Sequence, residues 1–268
     1  MSDESPGGGG PHEQTSSSTI LTAQIEEGLN ELNRPTDGLF LSGLSAGLDI
    51  GFGPLLMVVL LTLVGDAWGE PATKLLLANA YTVGFVFVVL GRSELFTEHT
   101  TLAVLPVLDG RASVSQLGRL WSLVYVANVV GGIVFAGLAV AAAPAFGIVD
   151  LAAFEEVAKP LVDHGFTELF VAAIFAGWLM GLLSWLVTAA QETTGRMLMV
   201  WIVTVTIGVA HLPHCIAGNV EVVAAVFTGG VDPMQYVRFM TAATLGNAVG
   251  GSIFVGLLKY GHVVRGGN

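Results

Sequence analysis

The chain has 268 residues, of which 53% are hydrophobic and only 12% charged, and its mean hydropathy is +0.73. A soluble domain carries about 25% charged residues, so this chain cannot cover a soluble surface, and a soluble enzyme or a disordered protein is excluded. The net charge of −11, from 21 acidic against 10 basic residues, also opposes binding to nucleic acid. Cys215 is the single cysteine, so no intrachain disulfide can form.

Residues 1 to about 19 are rich in Gly and Ser and nearly free of apolar groups. Such a segment cannot offset its ordering entropy and is expected to be disordered. No basic stretch followed by an apolar run opens the chain, so insertion is expected through the first hydrophobic span rather than a signal peptide. Residues 20–35 place Ile20, Leu21, Ile25, Leu29 and Leu32 at helical spacing. This predicts a short amphipathic helix stopped before Pro35. Residues 1–37 together form the expected cytoplasmic tail and helix.

A membrane span needs about 20 apolar residues. Apolar runs cover about 39–64, 75–90, 120–143, 169–190, 197–210 and 236–258. A polar, acidic connection joins the third to the fourth, over about 144–168. The expected channel domain is 38–260, with a first repeat at about 38–143, a second at about 167–258, and a C-terminal tail at 261–268.

The second and fifth runs stop short. After Leu90 comes GRSELFTEHT, and after Ala210 comes HLPHCIAGN. Each break carries Gly or Pro and ionisable groups, and each resuming piece is too short to cross alone. Non-helical backbone at membrane depth survives only in protein or along a water-lined cavity. Broken helices in matching positions of two halves point to a transport site. The halves do match: NVVGGIVFAGL from Asn128 is echoed by NAVGGSIFVGL from Asn247, and Ala46-Gly47 by Ala176-Gly177. A repeat of three spans is odd-numbered, so its second copy is inverted in the membrane. The fold class read here is an all-α membrane protein, with six transmembrane helices in an inverted repeat of three plus three and helices two and five broken. Arg34, Arg111, Arg119, Arg196, Lys259 and Arg265 fall on one side against Lys74, Lys159 and Arg238 on the other. The basic bias places both termini in the cytoplasm of a multi-pass protein of the cell membrane.

Glu94-Leu95-Phe96-Thr97 in the first break and His214-Cys215-Ile216-Ala217 in the second resemble the motifs of the formate/nitrite transporter family. The resemblance covers about 35–260, and the wording LFTEHT with HCIAGNVEV looks like a less characterised branch. It implies an aquaporin-like fold of six helices per protomer, assembled as a homopentamer with a pore in each protomer, and passage of small monovalent anions such as formate or nitrite, or of their weak acids. It places Leu95, Phe96 and Thr97 in the loop that narrows the pore and His214 at its centre. No cofactor or metal is implied. The chain departs from the family pattern at Gly218, where an Asn is usual and Asn219 stands next. No Asn follows Gly177 in span four, and no Lys lies between Lys159 and Lys259. The electropositive lure for anions is correspondingly weaker.

The polar residues have physical roles of their own. A histidine between two half-helices can hold or lend a proton to an arriving anion. His211, with His214 and Cys215, is too thin a cluster for a metal. Arg92 at the end of the first half of span two needs a partner, with Asp49, Glu94 and Glu98 in reach, or else serves to attract anions. Glu98 and Glu221 are expected to open the resuming half-helices and cap them, with proton handling as the rival role. Thr97 can offer a hydroxyl to an oxyanion. Two other functions fit the same fold: a channel for a neutral solute, and a non-conducting sensor or binding protein. No nucleophile–base pair supports an enzyme. The expected partners are the small substrate, the bilayer and further copies of the chain.

Overall fold

The computed structural model describes residues 15–266, and all regular elements among them are helices. Five segments are long and apolar enough to cross a membrane: Thr36–Val64, Glu70–Gly91, Val114–Ala142, Phe166–Ala189 and Pro233–Gly266.

Helix α1, Ser17–Leu32, begins where the Ser16 hydroxyl accepts from the Thr19 N–H at 3.1 Å. Its apolar stripe, Ile20, Leu21 and Ile25, docks on Leu105 and Trp185. Most of the expected Gly/Ser tail lies outside the described residues, and Ser17–Thr19 already belong to α1.

The first apolar run forms two helices, α2 (Thr36–Asp49) and α3 (Phe52–Val64). Pro54 has no N–H to give the Ile50 carbonyl, so the ladder breaks there. The chain turns instead through a bond from Gly53 N to Ile50 O, 3.2 Å. The second run is α4, Glu70–Gly91, followed by a break and two short pieces, α5 (Phe96–Leu102) and α6 (Leu105–Leu108). Helix α7, Val114–Ala142, starts from a capping box of Ser113 and Gln116.

The connection over 144–168 holds a helix the sequence reading missed. Helix α8, Leu151–Val162, buries Phe154, Val157, Ala158 and Leu161 and packs on α11 and α3. Its period of three and four was present in the sequence beneath the acidic residues on the other face. Helix α9 is Phe166–Ala189 and α10 is Thr193–Val209; after a second break comes α11, Ala217–Thr228. The last span runs as α12 (Pro233–Val249), a π-helical stretch over Gly250–Leu257, and α13 (Leu258–Gly266). The expected tail at 261–268 is therefore helical as far as Gly266.

Lipid is as apolar as Leu, so helices in a bilayer associate by close packing and polar bonds rather than by the hydrophobic effect. Here α2 lies against α7 and α9 against α12. Gly47 faces the backbone of Asn128 and Gly177 that of Asn247, each so closely that a Cβ would overlap the carbonyl.

Candidate functional site: two breaks facing each other

The two breaks are built alike. At the end of α4, Arg92 takes a left-handed conformation with φ of 55°, and after α10 His211 does the same with φ of 48°. Left-handed backbone costs a non-glycine residue about 1–2 kcal/mol, and both breaks bear that strain at the same point. Three residues then lead from Arg92 to α5, and five from His211 to α11.

A buried carboxamide holds each break open. Asn128 Oδ1 accepts from the Phe96 N–H at 2.8 Å, while its Nδ2 donates to Gly43 O at 2.7 Å and Glu94 O at 2.9 Å. Asn247 Oδ1 accepts from the Cys215 N–H at 2.9 Å, while its Nδ2 donates to Ala173 O at 2.8 Å and Pro213 O at 2.9 Å. The residue enclosed between the bonded carbonyl and the bonded amide is Leu95 in one half and His214 in the other. The same place is apolar on one side and polar on the other.

His214 is 1% exposed. Its Nδ1 accepts from the Ala217 N–H at 3.1 Å. A nitrogen that accepts is bare, so the neutral ring carries its proton on Nε2. That nitrogen lies 2.9 Å from Thr97 Oγ1. The imidazole therefore donates to Thr97 and joins the second break to the first. Phe85 of α4 meets the imidazole edge to face at 5.0 Å between centroids.

The remaining residues singled out from sequence are distributed around this pair. Leu95 is fully buried at the start of α5. The Phe96 ring packs edge-on against Trp121 and Tyr125 of α7, at 5.8 and 5.1 Å, and so braces the break. Gly218 is a packing position, since a Cβ there would enter the Phe239 ring. Asn219 ties α11 to its neighbours: Tyr236 donates to its Oδ1 at 2.7 Å, and its Nδ2 donates to Val129 O at 3.2 Å.

Two expectations are corrected. Glu221 does not open α11, which starts at Ala217, and it cannot cap that helix from its fifth position. Glu221 is instead buried and lines a small cavity together with Pro54, Val58, Phe135 and Phe154. Glu98, by contrast, does sit in the first turn of α5. Arg92 is exposed and forms no ion pair among the described residues. Glu94 is taken by Arg34, whose Nη1 donates to it at 2.8 Å, and Asp49 accepts from Ser45 at 3.0 Å. The sequence reading missed Arg34 as the partner because the contact spans α2, α3 and α4.

On the α1 side, a cavity of about 790 Å³ lies beside α5, walled by α1 and the facing ends of α4, α9 and α10. Glu98, Arg92 and His99 are among the residues that line it. Among the described residues no group of three or more His, Cys, Asp and Glu could hold a metal.

Apolar spanning helices, two like halves and a buried polar contact where their breaks meet define an integral membrane protein of the transport class. A family profile described as Formate/nitrite transporter matches residues 18–261. The probable formate transporter of Methanothermobacter thermautotrophicus is 31% identical, with 80% of this chain and 85% of that protein covered. The uncharacterized transporter YrhG of Bacillus subtilis is 28% identical, over 90% of this chain and 91% of its own. Among solved structures, a pentameric formate channel with formate bound superposes with a TM-score of 0.72 at 25% identity, covering 86% of this chain and 98% of that one. The chain belongs to the formate/nitrite transporter family, whose members are channels and transporters rather than enzymes.

Proposed function

We propose that the chain passes small monovalent anions such as formate or nitrite, or their weak acids, across the cell membrane, with His214 exchanging a proton in the pore. The observation that carries this is the contact of His214 Nε2 with Thr97 Oγ1 between the two breaks, 2.9 Å long. An anion loses water at an apolar constriction at high cost, whereas the neutral acid loses far less. Thr97 accepts from the imidazole and keeps its own hydroxyl proton to give an arriving oxyanion. A second proton on His214 would occupy Nδ1, which holds the Ala217 N–H in the structure. Proton uptake therefore opens that bond at the start of α11, and lending the proton closes it again.

Members related to this chain include a probable formate transporter, and a solved relative is a pentameric formate channel. The reading extends both properties to this chain, as a homopentamer with a pore in each protomer and both termini in the cytoplasm. The test is formate and nitrite flux into proteoliposomes at acidic and neutral pH, comparing wild type, His214→Ala and His214→Asn. Asn keeps an N–H donor and cannot take a proton. Flux whose pH dependence disappears in His214→Asn supports proton exchange; an unchanged profile overturns it. Absence of flux for both anions in a folded, assembled wild type overturns the anion assignment and favours a neutral solute.

A further inference from the structure

Beside the His214 contact, α5 carries a second histidine. His99 is 1% exposed, and its Nε2 lies 2.5 Å from Glu94 Oε2. The other oxygen of Glu94 accepts from Arg34 Nη1, which also donates to Glu31 Oε2 at 3.1 Å. Four groups are thus chained: Glu31 on α1, Arg34 after it, Glu94 in the first break and His99 on α5. The His99 carbonyl accepts from Trp121 Nε1 at 3.0 Å, which holds this turn of α5 against α7. His99 Nδ1 is buried and has no hydrogen-bond partner among the described residues. A buried polar nitrogen without a partner is uncommon and calls for an explanation.

We infer that Glu94 and His99, clamped by Arg34, form a proton-binding site in the wall of the vestibule beside α1, and that its charge sets how readily an anion is admitted to the pore. The inference rests on the reading of the pore as an anion path. Its physical basis is the charge of that vestibule. The cavity is lined by three arginines, Arg34, Arg92 and Arg196, and by four glutamates, Glu27, Glu31, Glu94 and Glu98. These charges nearly cancel, so one proton on His99 changes the balance that an anion meets. Arg34 neutralises one carboxylate of the pair Glu31 and Glu94 but not both, which leaves a negative charge for an imidazolium to neutralise. From α4 the facing charge is Arg92, from α10 it is Arg196, and from α1 it is Glu27. Low-dielectric walls focus such a field along the path of the ion. His214 is placed differently, inside the contact of the two breaks. The two histidines therefore divide the work: one adjusts admission from the vestibule, and the other handles the proton at the centre.

Two measurements on the assembled protein in bilayers test this. The first is nitrogen NMR of histidine-labelled protein, with the His99 signal identified by its loss in His99→Gln. The expected result is that His99 gains its second proton within the pH range over which the protein stays assembled, with a midpoint that moves when Glu94 is changed to Gln. A His99 ring that does not titrate there, or whose midpoint ignores Glu94→Gln, overturns the site. The second is formate flux in proteoliposomes. The ratio of flux at about pH 5.5 to that at about pH 7.5 is expected to fall about threefold or more in His99→Gln relative to wild type. An unchanged ratio overturns the role in admission. Should His99→Gln fail to assemble, Glu27→Gln decides: it removes one negative charge from an exposed position, and neutral-pH flux is expected to rise. No rise overturns the proposal. Absence of formate flux in wild type would instead strike the anion reading, and the NMR result would still decide the proton site.

Discussion

Asn128 and Asn247 make the same three bonds in the two halves of the protein. Each carboxamide accepts from a backbone amide, that of Phe96 at the start of α5 or that of Cys215 two residues before α11, and donates to one carbonyl of the break and one of a neighbouring span. Both side chains are fully buried. Replacing either by Ala removes three hydrogen bonds and leaves backbone groups unpaired. The expected loss is about 2 kcal/mol of stability in each case, read as a lower melting temperature of the assembled protein. Equal effects at the two sites are expected, and tolerance of Asn128→Ala would mean that α5 is held by other contacts.

Gly47 and Gly177 let those asparagine-bearing helices approach. Ala at either position places a methyl against a backbone carbonyl that cannot swing aside. Each Gly→Ala change is expected to cost about 1–3 kcal/mol through overpacking. Gly118→Ala, which meets nothing within 4 Å, is expected to be neutral. Thermal unfolding of the three variants side by side checks the contrast.

Thr97 has a role that shape alone cannot fill. Thr97→Val keeps the volume but deprives His214 Nε2 of its acceptor. Flux is expected to fall about tenfold in Thr97→Val, the effect of one buried donor left unpaired, and to stay near wild type in Thr97→Ser. Equal flux in all three would remove the hydroxyl from the transport path.

Glu31, on α1 outside the spanning segments, carries a pH dependence whose sign follows from its surroundings. Burial, then repulsion by Glu94, pushes its carboxyl above the ordinary 4.5 in spite of Arg34. The folded protein thus holds this proton more tightly than the unfolded chain. The stability it contributes is full below the ordinary value and is lost as pH rises through the raised one. The melting temperature is expected to drop across that window in wild type, and by less in Glu31→Gln. A steeper drop in the variant would show that the bond to Arg34 outweighs burial.

Much of the architecture was legible in the residues. The α1 stripe, the apolar runs and both breaks follow from local rules of hydrophobic spacing, Gly and Pro. The division at Pro54 and helix α8 were equally local, but a long apolar run and an acidic surface masked them. The partner of Arg92 was misjudged because ion pairs are chosen among all chain segments that converge, and Arg34 reaches Glu94 first. The ring of Phe96, in the loop that the resemblance places at a narrowed pore, packs on Trp121 and Tyr125, a contact between segments that no local pattern announces.

The order of the residues is enough to establish a membrane protein of two like halves with a histidine in one break. Composition and repetition carry that information, because burial in lipid and backbone satisfaction act on each segment alone. That His214 donates to Thr97, that Leu95 fills the equivalent place, and that Glu94 links His99 to Arg34 emerges from the folded arrangement. The contacts of His214 with Thr97 and of Arg34 with Glu94 join residues far apart in sequence, and the role of His214 Nε2 follows from the Ala217 N–H that its Nδ1 accepts.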